Sequence, residues 1–427
     1  MKSFACLALA LASACSLTPA HADPVRILFV GNSYTFGRID PVMSYNAANV
    51  HDLTAPFYAV NQSGTNPWEP HPWGGVPGIF KKFTDEAGLV YDVSISARNA
   101  ASLRGQFLDT ANSDWKLREN VASQKWDAVV LQEQSDAALP AGRGKNANLA
   151  QFQAYAGQFE RFVHDGSAQT YTETQLYGSL AACVATGLSA GSCGQSRVIP
   201  ANTNANPNAK VYLTETWARP DMVYAHLNTT SDPTTPDGSP IVDTSASPAG
   251  TAATLYYASL AAMTADLHTD FYGELLLDRN FTGVIPVGDA FQYAFDHGLV
   301  KTGGFYDAAG VFTQSASGDL MNLWYNDYLH ASKYGSYLDA LVQFGVITGL
   351  DPRMFGAGDQ AARDLGIGAA DALTLQRIAA IEVNAVPEPE TLVLMLGGIL
   401  AGWSTRRRSG ARPNRKAGSS RGRQAAS

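Results

Sequence analysis

VRILFVGNSYTFGR, residues 25–38, decides how this chain is read. Five of its first six positions are apolar and do not alternate with polar ones. That is the pattern of a strand buried on both faces of a parallel sheet. Gly31, Asn32 and Ser33 follow. Gly31 offers the tight turn that a strand-to-helix junction needs, having no Cβ to penalise unusual dihedrals. Ligands of open α/β sheets bind beyond the carboxyl ends of the strands. Ser33 therefore stands where a nucleophile would be mounted, and an ordinary polar turn is the competing reading of the same letters.

Four further runs are read as buried parallel strands like the first: Tyr91–Ser96, Ala128–Gln132, Lys210–Thr214 and Gly283–Val287. Helical spacing fills Leu149–His164, Thr251–Tyr272 and Gly335–Thr348, and a last helix is expected over about Asp371–Glu382. Strands alternating with helices predict a three-layer α/β/α fold with a doubly wound, mostly parallel, five-stranded sheet. Three segments fall outside that pattern. Residues 61–78 are rich in Pro, Gly and Trp, and read as a long loop and a wall of the site. Residues 186–209 hold an Asn/Pro/Ala tract, and residues 228–250 read as a surface excursion. No internal repeat is apparent.

The two ends read differently from the body. Lys2, an apolar core and Ala20–His21–Ala22 make residues 1–22 a signal peptide cut by signal peptidase. A lipoprotein cut before Cys15 is the rival reading. At the other end, Pro387–Glu388–Pro389 precedes a short apolar stretch from Leu392 and then Arg406, Arg407 and Arg408. A full membrane span takes about 20 apolar residues, and this stretch is shorter. Its three parts, in this order, resemble the PEP-CTERM sorting signal of Gram-negative bacteria over residues 385–410, with residues 411–427 as a basic tail. That resemblance implies recognition by an exosortase, transient membrane contact, removal of the tail, and a final place in the periplasm, at the cell surface or outside the cell. A simple C-terminal membrane anchor is the alternative. Residues 23–384 are left as the globular domain.

The overall formal charge of −8 hides an asymmetry. Of 30 basic residues, Lys2 lies in the leader and eight lie beyond Ser404, while all 38 acidic residues lie between. The body is strongly acidic, which excludes the positive footprint a nucleic-acid partner needs. Cys6 and Cys15 leave with the leader. Cys183 and Cys193 remain and are expected to close a small loop in an oxidising compartment, with two free thiols as the alternative. No His or further Cys lies near them at ligand spacing. No metal or cofactor is expected.

The chemistry is distributed over several blocks. NDYLHASKYGSYLDA places Asp327 three residues before His330, just ahead of a helix-like run. An alcohol nucleophile needs a base, and the base needs a carboxylate to fix its tautomer. WDAVVLQEQSD runs from a buried strand into Gln132, Glu133, Gln134 and Ser135, and a Gln amide can donate to a developing oxyanion. Glu215 in LTETW and Asp289 in VIPVGDAF also follow strand runs, so each is either a cleft residue or a structural carboxylate. Trp68 and Trp73 either stack on sugar rings or pack locally.

In this order the blocks resemble the SGNH (GDSL-like) hydrolase superfamily over roughly residues 24–350. ILFVGNSYT, VVLQEQS, LTETW, VIPVGDAF and LHASKYGSYLDA are most similar to a little-characterised bacterial branch. The resemblance implies Ser33 as nucleophile, His330 as base and Asp327 as its orienting partner. The oxyanion donors it implies are the N–H of Ser33, an N–H at Ala100 where the family has glycine, and Gln134 where it has asparagine, with Gln132 as alternate. Asn32 stands where many members have Asp, and joins Glu215, Trp68 and Trp73 as a candidate substrate contact. The expected function is an exported serine esterase or deacylase, acting through an acyl-enzyme on a small-molecule ester or on acyl groups of a carbohydrate or extracellular polysaccharide. The alternatives are a non-catalytic surface carbohydrate-binding or matrix protein on the same scaffold, and an acyltransferase.

Overall fold

The computed structural model describes residues 23–38, 40–59, 71–110, 115–224, 256–302, 320–325 and 327–385. The leader, residues 61–70 of the first loop with Trp68, the excursion at 228–250 and the sorting segment beyond Ala385 lie outside these residues.

β1 (Val25–Gly31) is the middle of the molecule. Its residues Ile27–Val30 are at most 1% exposed. It pairs in parallel with β3 (Tyr91–Ala97) on one side and β4 (Ala128–Gln132) on the other. Burial on both faces explains why its apolar run is unbroken. β7 (Lys210–Thr214) and β8 (Gly283–Ile285) continue the sheet beyond β4. At the opposite edge, β2 (His51–Asp52) adds to β3. The sheet therefore has six parallel strands in the order β2-β3-β1-β4-β7-β8, where five were expected. The sixth is a two-residue edge strand, too short to carry a pattern. Without it, the order is that of a doubly wound sheet that reverses direction at β1.

Crossovers between parallel strands are right-handed. The β1-to-β3 crossover runs one way from β1, and the crossovers from β4 to β7 and β8 run the other. Their helices consequently cover opposite faces. Helix Lys333–Thr348 packs against both helix Gly75–Glu86 and helix Ala369–Ala385 on one face. On the other, helix Leu149–His164 meets helix Leu260–Leu277 through Phe152 and Phe271, 4.8 Å between ring centroids.

Several boundaries differ from expectation. The helix expected over Thr251–Tyr272 is Leu260–Leu277, and those expected over Gly335–Thr348 and Asp371–Glu382 are longer, Lys333–Thr348 and Ala369–Ala385. Gly283–Val287 is strand only to Ile285, because Val287 opens helix Val287–Asp296. Residues 75–78 belong to a helix rather than to the first loop. The Cys-bearing segment is not structureless: β5 (Gln169–Thr172) and β6 (Ser196–Ile199) form an antiparallel hairpin around three short helices. Cys183 and Cys193 are joined there by a disulfide, both fully buried. Glu173, at the base of this excursion, binds Arg104, Arg197 and the Tyr155 hydroxyl. Burial opposes its charge, but those donors hold its carboxyl down at about 2.

Candidate active site

The register aligns the carboxyl ends of three strands. Gly31 lies opposite Ala97 on β3, and Val30 opposite Leu131 on β4. The loops after β1, β3 and β4 thus leave the sheet side by side at the point where its order reverses. Asn32 caps a short helix, Ser33–Phe36, and Ser33 is its first residue.

Gly31 is needed here for space, not for an unusual φ. A Cβ on it would lie 2.0 Å from Thr35 Oγ1 and 2.8 Å from Gln132 Oε1. Those two atoms are themselves bonded, Thr35 Oγ1 donating to Gln132 Oε1 at 2.9 Å. Gln132 Oε1 also accepts the Asn32 N–H at 3.1 Å, and its Nε2 donates to the Glu133 carbonyl. With Oε1 holding the serine turn and Nε2 turned to the neighbouring Glu133 carbonyl, Gln132 is a strut, and the alternate assignment as oxyanion donor is corrected. Asn32 is corrected in the same way. It is 1% exposed, its Nδ2 donates to the Ala101 carbonyl at 3.1 Å, and its Oδ1 accepts the Tyr34 N–H at 3.2 Å. It ties the loop after β3 to the serine and offers nothing to a substrate.

His330 comes from the loop before helix Lys333–Thr348, 297 positions along the chain, and its Nε2 lies 2.8 Å from Ser33 Oγ. Asp327 Oδ2 is 2.5 Å from His330 Nδ1. The other carboxylate oxygen, Oδ1, accepts the N–H groups of Leu329 at 3.0 Å and His330 at 2.9 Å. This tight turn passes through Tyr328 at a left-handed φ of 55°, a conformation that non-glycine residues adopt only when surroundings enforce it. Tyr328 is fully buried. Burial works against a charge on Asp327, but the adjacent His330 and the two backbone donors outweigh it and hold the carboxyl at about 2. Ser33 and His330 are 6% and 8% exposed, so the contact is shielded from bulk water yet reachable.

Aromatic packing fixes the imidazole from the side. Tyr34 stacks on Trp217 at 4.0 Å and meets the His330 ring edge-on at 5.7 Å. The Trp217 Nε1–H donates to the Leu329 carbonyl at 3.0 Å, joining the β7 end to the histidine turn. Beneath it, Arg219 bonds Asp221 and Asp136, linking the loops after β7 and β4.

Among the described residues, neither the Ser33 N–H nor the Ala100 N–H has a hydrogen-bond acceptor. Ala100 is exposed and sits at φ 55°. The site thus keeps the left-handed backbone that glycine adopts freely, with alanine bearing the strain. The half-buried Gln134 side chain also bonds no described residue. Its backbone is fixed by Glu133, whose Oε1 accepts the N–H of Gln134 and, at 3.1 Å, the N–H of Leu103. Glu133 thereby fastens the third loop to the second. Burial pushes its carboxyl up to about 7 despite those two bonds. Its role has no sequence signal beyond its place after β4, because Leu103 is 30 positions away.

The remaining candidates are placed elsewhere. Trp73 is fully buried, stacked on Phe36 at 3.9 Å and on His71 at 3.6 Å, so it has no face for a sugar. Glu215 is fully buried beside Asp289 and His268, and does not reach solvent as a substrate contact must.

Comparison with known proteins gives three results. Residues 385–408 match the PEP-CTERM protein-sorting motif. This C-terminal motif indicates export to the cell surface and implies sorting by an exosortase. No curated protein matches the chain. Among solved structures, the chain is similar to a DUF4886 family protein from Bacteroides uniformis, with 12% identity over 84% of this chain and 95% of that one and a TM-score of 0.37. It is also similar to a candidate SGNH hydrolase from Slackia heliotrinireducens, with 15% identity, 76% and 100% coverage and a TM-score of 0.35. A third likeness is to phospholipase A1 from Streptomyces albidoflavus, with 14% identity, 67% and 92% coverage and a TM-score of 0.27.

Proposed function

We propose that this protein is an exported serine ester hydrolase. The observation that carries the reading is the relay of 2.8 Å from Ser33 Oγ to His330 Nε2 and 2.5 Å from His330 Nδ1 to Asp327. An Asp at Nδ1 keeps the proton there and leaves Nε2 free to accept the serine proton. Ser33 Oγ attacks the ester carbonyl as His330 takes that proton. The oxyanion is received by the N–H groups of Ser33 and Ala100 and by the Gln134 amide, each otherwise unengaged by described residues. His330 returns the proton to the leaving alcohol, and water then cleaves the acyl-enzyme by the same path in reverse. The sorting motif favours an ester met outside the cytoplasm, such as acyl groups on an extracellular polysaccharide of a Gram-negative cell.

The test is turnover of short p-nitrophenyl esters, together with labelling by a fluorophosphonate probe. The parent should hydrolyse the esters and label once, at Ser33. Ser33→Ala should lose label and at least ~10³-fold in kcat/KM. A Ser33→Ala protein that turns over esters as fast as the parent would overturn the reading.

A further inference from the structure

Beyond the serine site, one group of side chains is left electrostatically unbalanced. Glu215 follows β7, His268 lies in helix Leu260–Leu277, and Asp289 lies in the first turn of helix Val287–Asp296. One nitrogen or oxygen from each falls within 4.8 Å of the other two. Glu215 is fully buried, and among the described residues neither of its carboxylate oxygens has a hydrogen-bond partner. The fold makes room for that carboxylate: a Cβ on Gly288 would sit 3.1 Å from both Glu215 Cδ and Oε1.

Acidic groups crowd that carboxylate, and the basic groups nearby act on its neighbours: His268 pairs with Asp289, and His268 and His297 act on Glu382. Burial, and then the charge of Asp289, push the Glu215 carboxyl well above its usual range. The Asp289 N–H eases this only in part. Glu382, on helix Ala369–Ala385, faces the same group, and burial and Asp289 push it up to about 7. Among the described residues, these carboxylates make one ion pair, His268 Nδ1 with Asp289 Oδ2 at 2.8 Å. The buried Glu173, by contrast, has two arginines. An unpartnered buried carboxylate costs several kcal/mol if it stays charged, and a cation would relieve that cost.

We propose that Glu215, Asp289 and His268 bind a divalent transition-metal ion, with zinc the best fit. Two carboxylates and an imidazole are a zinc-type donor set, whereas calcium and magnesium take oxygen ligands. The His268 side chain is 49% exposed, which gives the ion a way in, and it opens its contact with Asp289 to admit it. Tyr272 stacks on the His268 ring at 4.2 Å and limits its rotation. The ion would act as a brace. Trp217 stands two residues after Glu215 and holds both Tyr34 and the Leu329 carbonyl. The site uses none of the residues of the serine relay, so its failure and that of the esterase reading are separable.

The experiment uses the full-length, untagged chain, stripped with a chelator. Equilibrium dialysis against zinc chloride should give one bound zinc per chain by elemental analysis, and zinc should raise the melting temperature. Glu215→Gln keeps the shape of the side chain and should weaken zinc binding at least ~10-fold, an effect of the size that altering a metal's surroundings produces. His268→Ala, at a half-exposed position that tolerates truncation, should do the same in a folded protein. A folded parent that takes up no zinc would overturn the proposal, as would variants that bind zinc like the parent. Uptake of calcium in preference to zinc would overturn the assignment of the ion.

Discussion

Asp327 does three things with two oxygens. One meets His330 Nδ1, and the other accepts the N–H groups of Leu329 and His330. Its carboxyl lies at about 2 in the folded chain, against about 3.9 for an unperturbed aspartate. A depressed acid stabilises the fold fully above its unfolded value and loses that contribution as the pH falls through its folded value. Asp327 should therefore contribute roughly 2–3 kcal/mol above about pH 5, fading toward pH 2. Asp327→Asn should flatten this part of the stability curve in urea titrations at several pH values. It should also cut kcat roughly 10³–10⁴-fold by favouring the wrong imidazole tautomer. An acid limb identical to the parent's would contradict this role. Ser33, Asp327 and His330 were legible as candidates because each sits at the edge of a strongly patterned element. Asn32 was not, because the carbonyl it holds is 69 positions away and nothing local distinguishes a strut from a ligand.

The serine turn is held by contacts between elements rather than by its own four-residue helix, which is too short to stand alone. Gly31, Thr35 and Gln132 interlock with no free space. Gly31→Ala must displace Thr35 Oγ1, which a new Cβ would approach to 2.0 Å. Overpacking of this kind costs about 1–3 kcal/mol, and the displaced turn carries Ser33. Melting temperature and kcat should fall together. A variant as stable and as active as the parent would show that the turn is not locked this way. Among the elements, β1, β4 and β7 were readable because a strand covered on both faces is largely apolar, and β3 because Val93 and Ile95 mark it although Ser94 and Ser96 are buried between and after them. The β2 edge was not, since two residues have no periodicity. The β5–β6 excursion was masked because its strands are polar and half exposed, and a disulfide and the Glu173 ion pairs fix it in place of an apolar core.

At the scale of the whole molecule, helix Ala369–Ala385 is the last described element, and the sorting motif begins at its final residue. Ala372, Leu375, Ile378, Ala379 and Ala380 bury one side of this helix. Val383 packs so closely on Gly345 of helix Lys333–Thr348 that a Cβ there would meet it at 2.6 Å. The motif spans residues 385–408 and contributes none of the relay residues. Folding and sorting should then be separable functions of one chain. A chain stopped after Ala385 keeps every element that positions Ser33, His330 and Asp327. Its melting temperature should stay within about 2 °C of the full-length value, the shift expected for less than 1 kcal/mol in a domain of this size. Its ester turnover should be unchanged, while in the native cell it should be lost from the surface-attached fraction, as fractionation and immunoblotting would show. A stopped chain that unfolds would mean that the last segment belongs to the core. One that remains at the surface would mean that sorting does not depend on the motif.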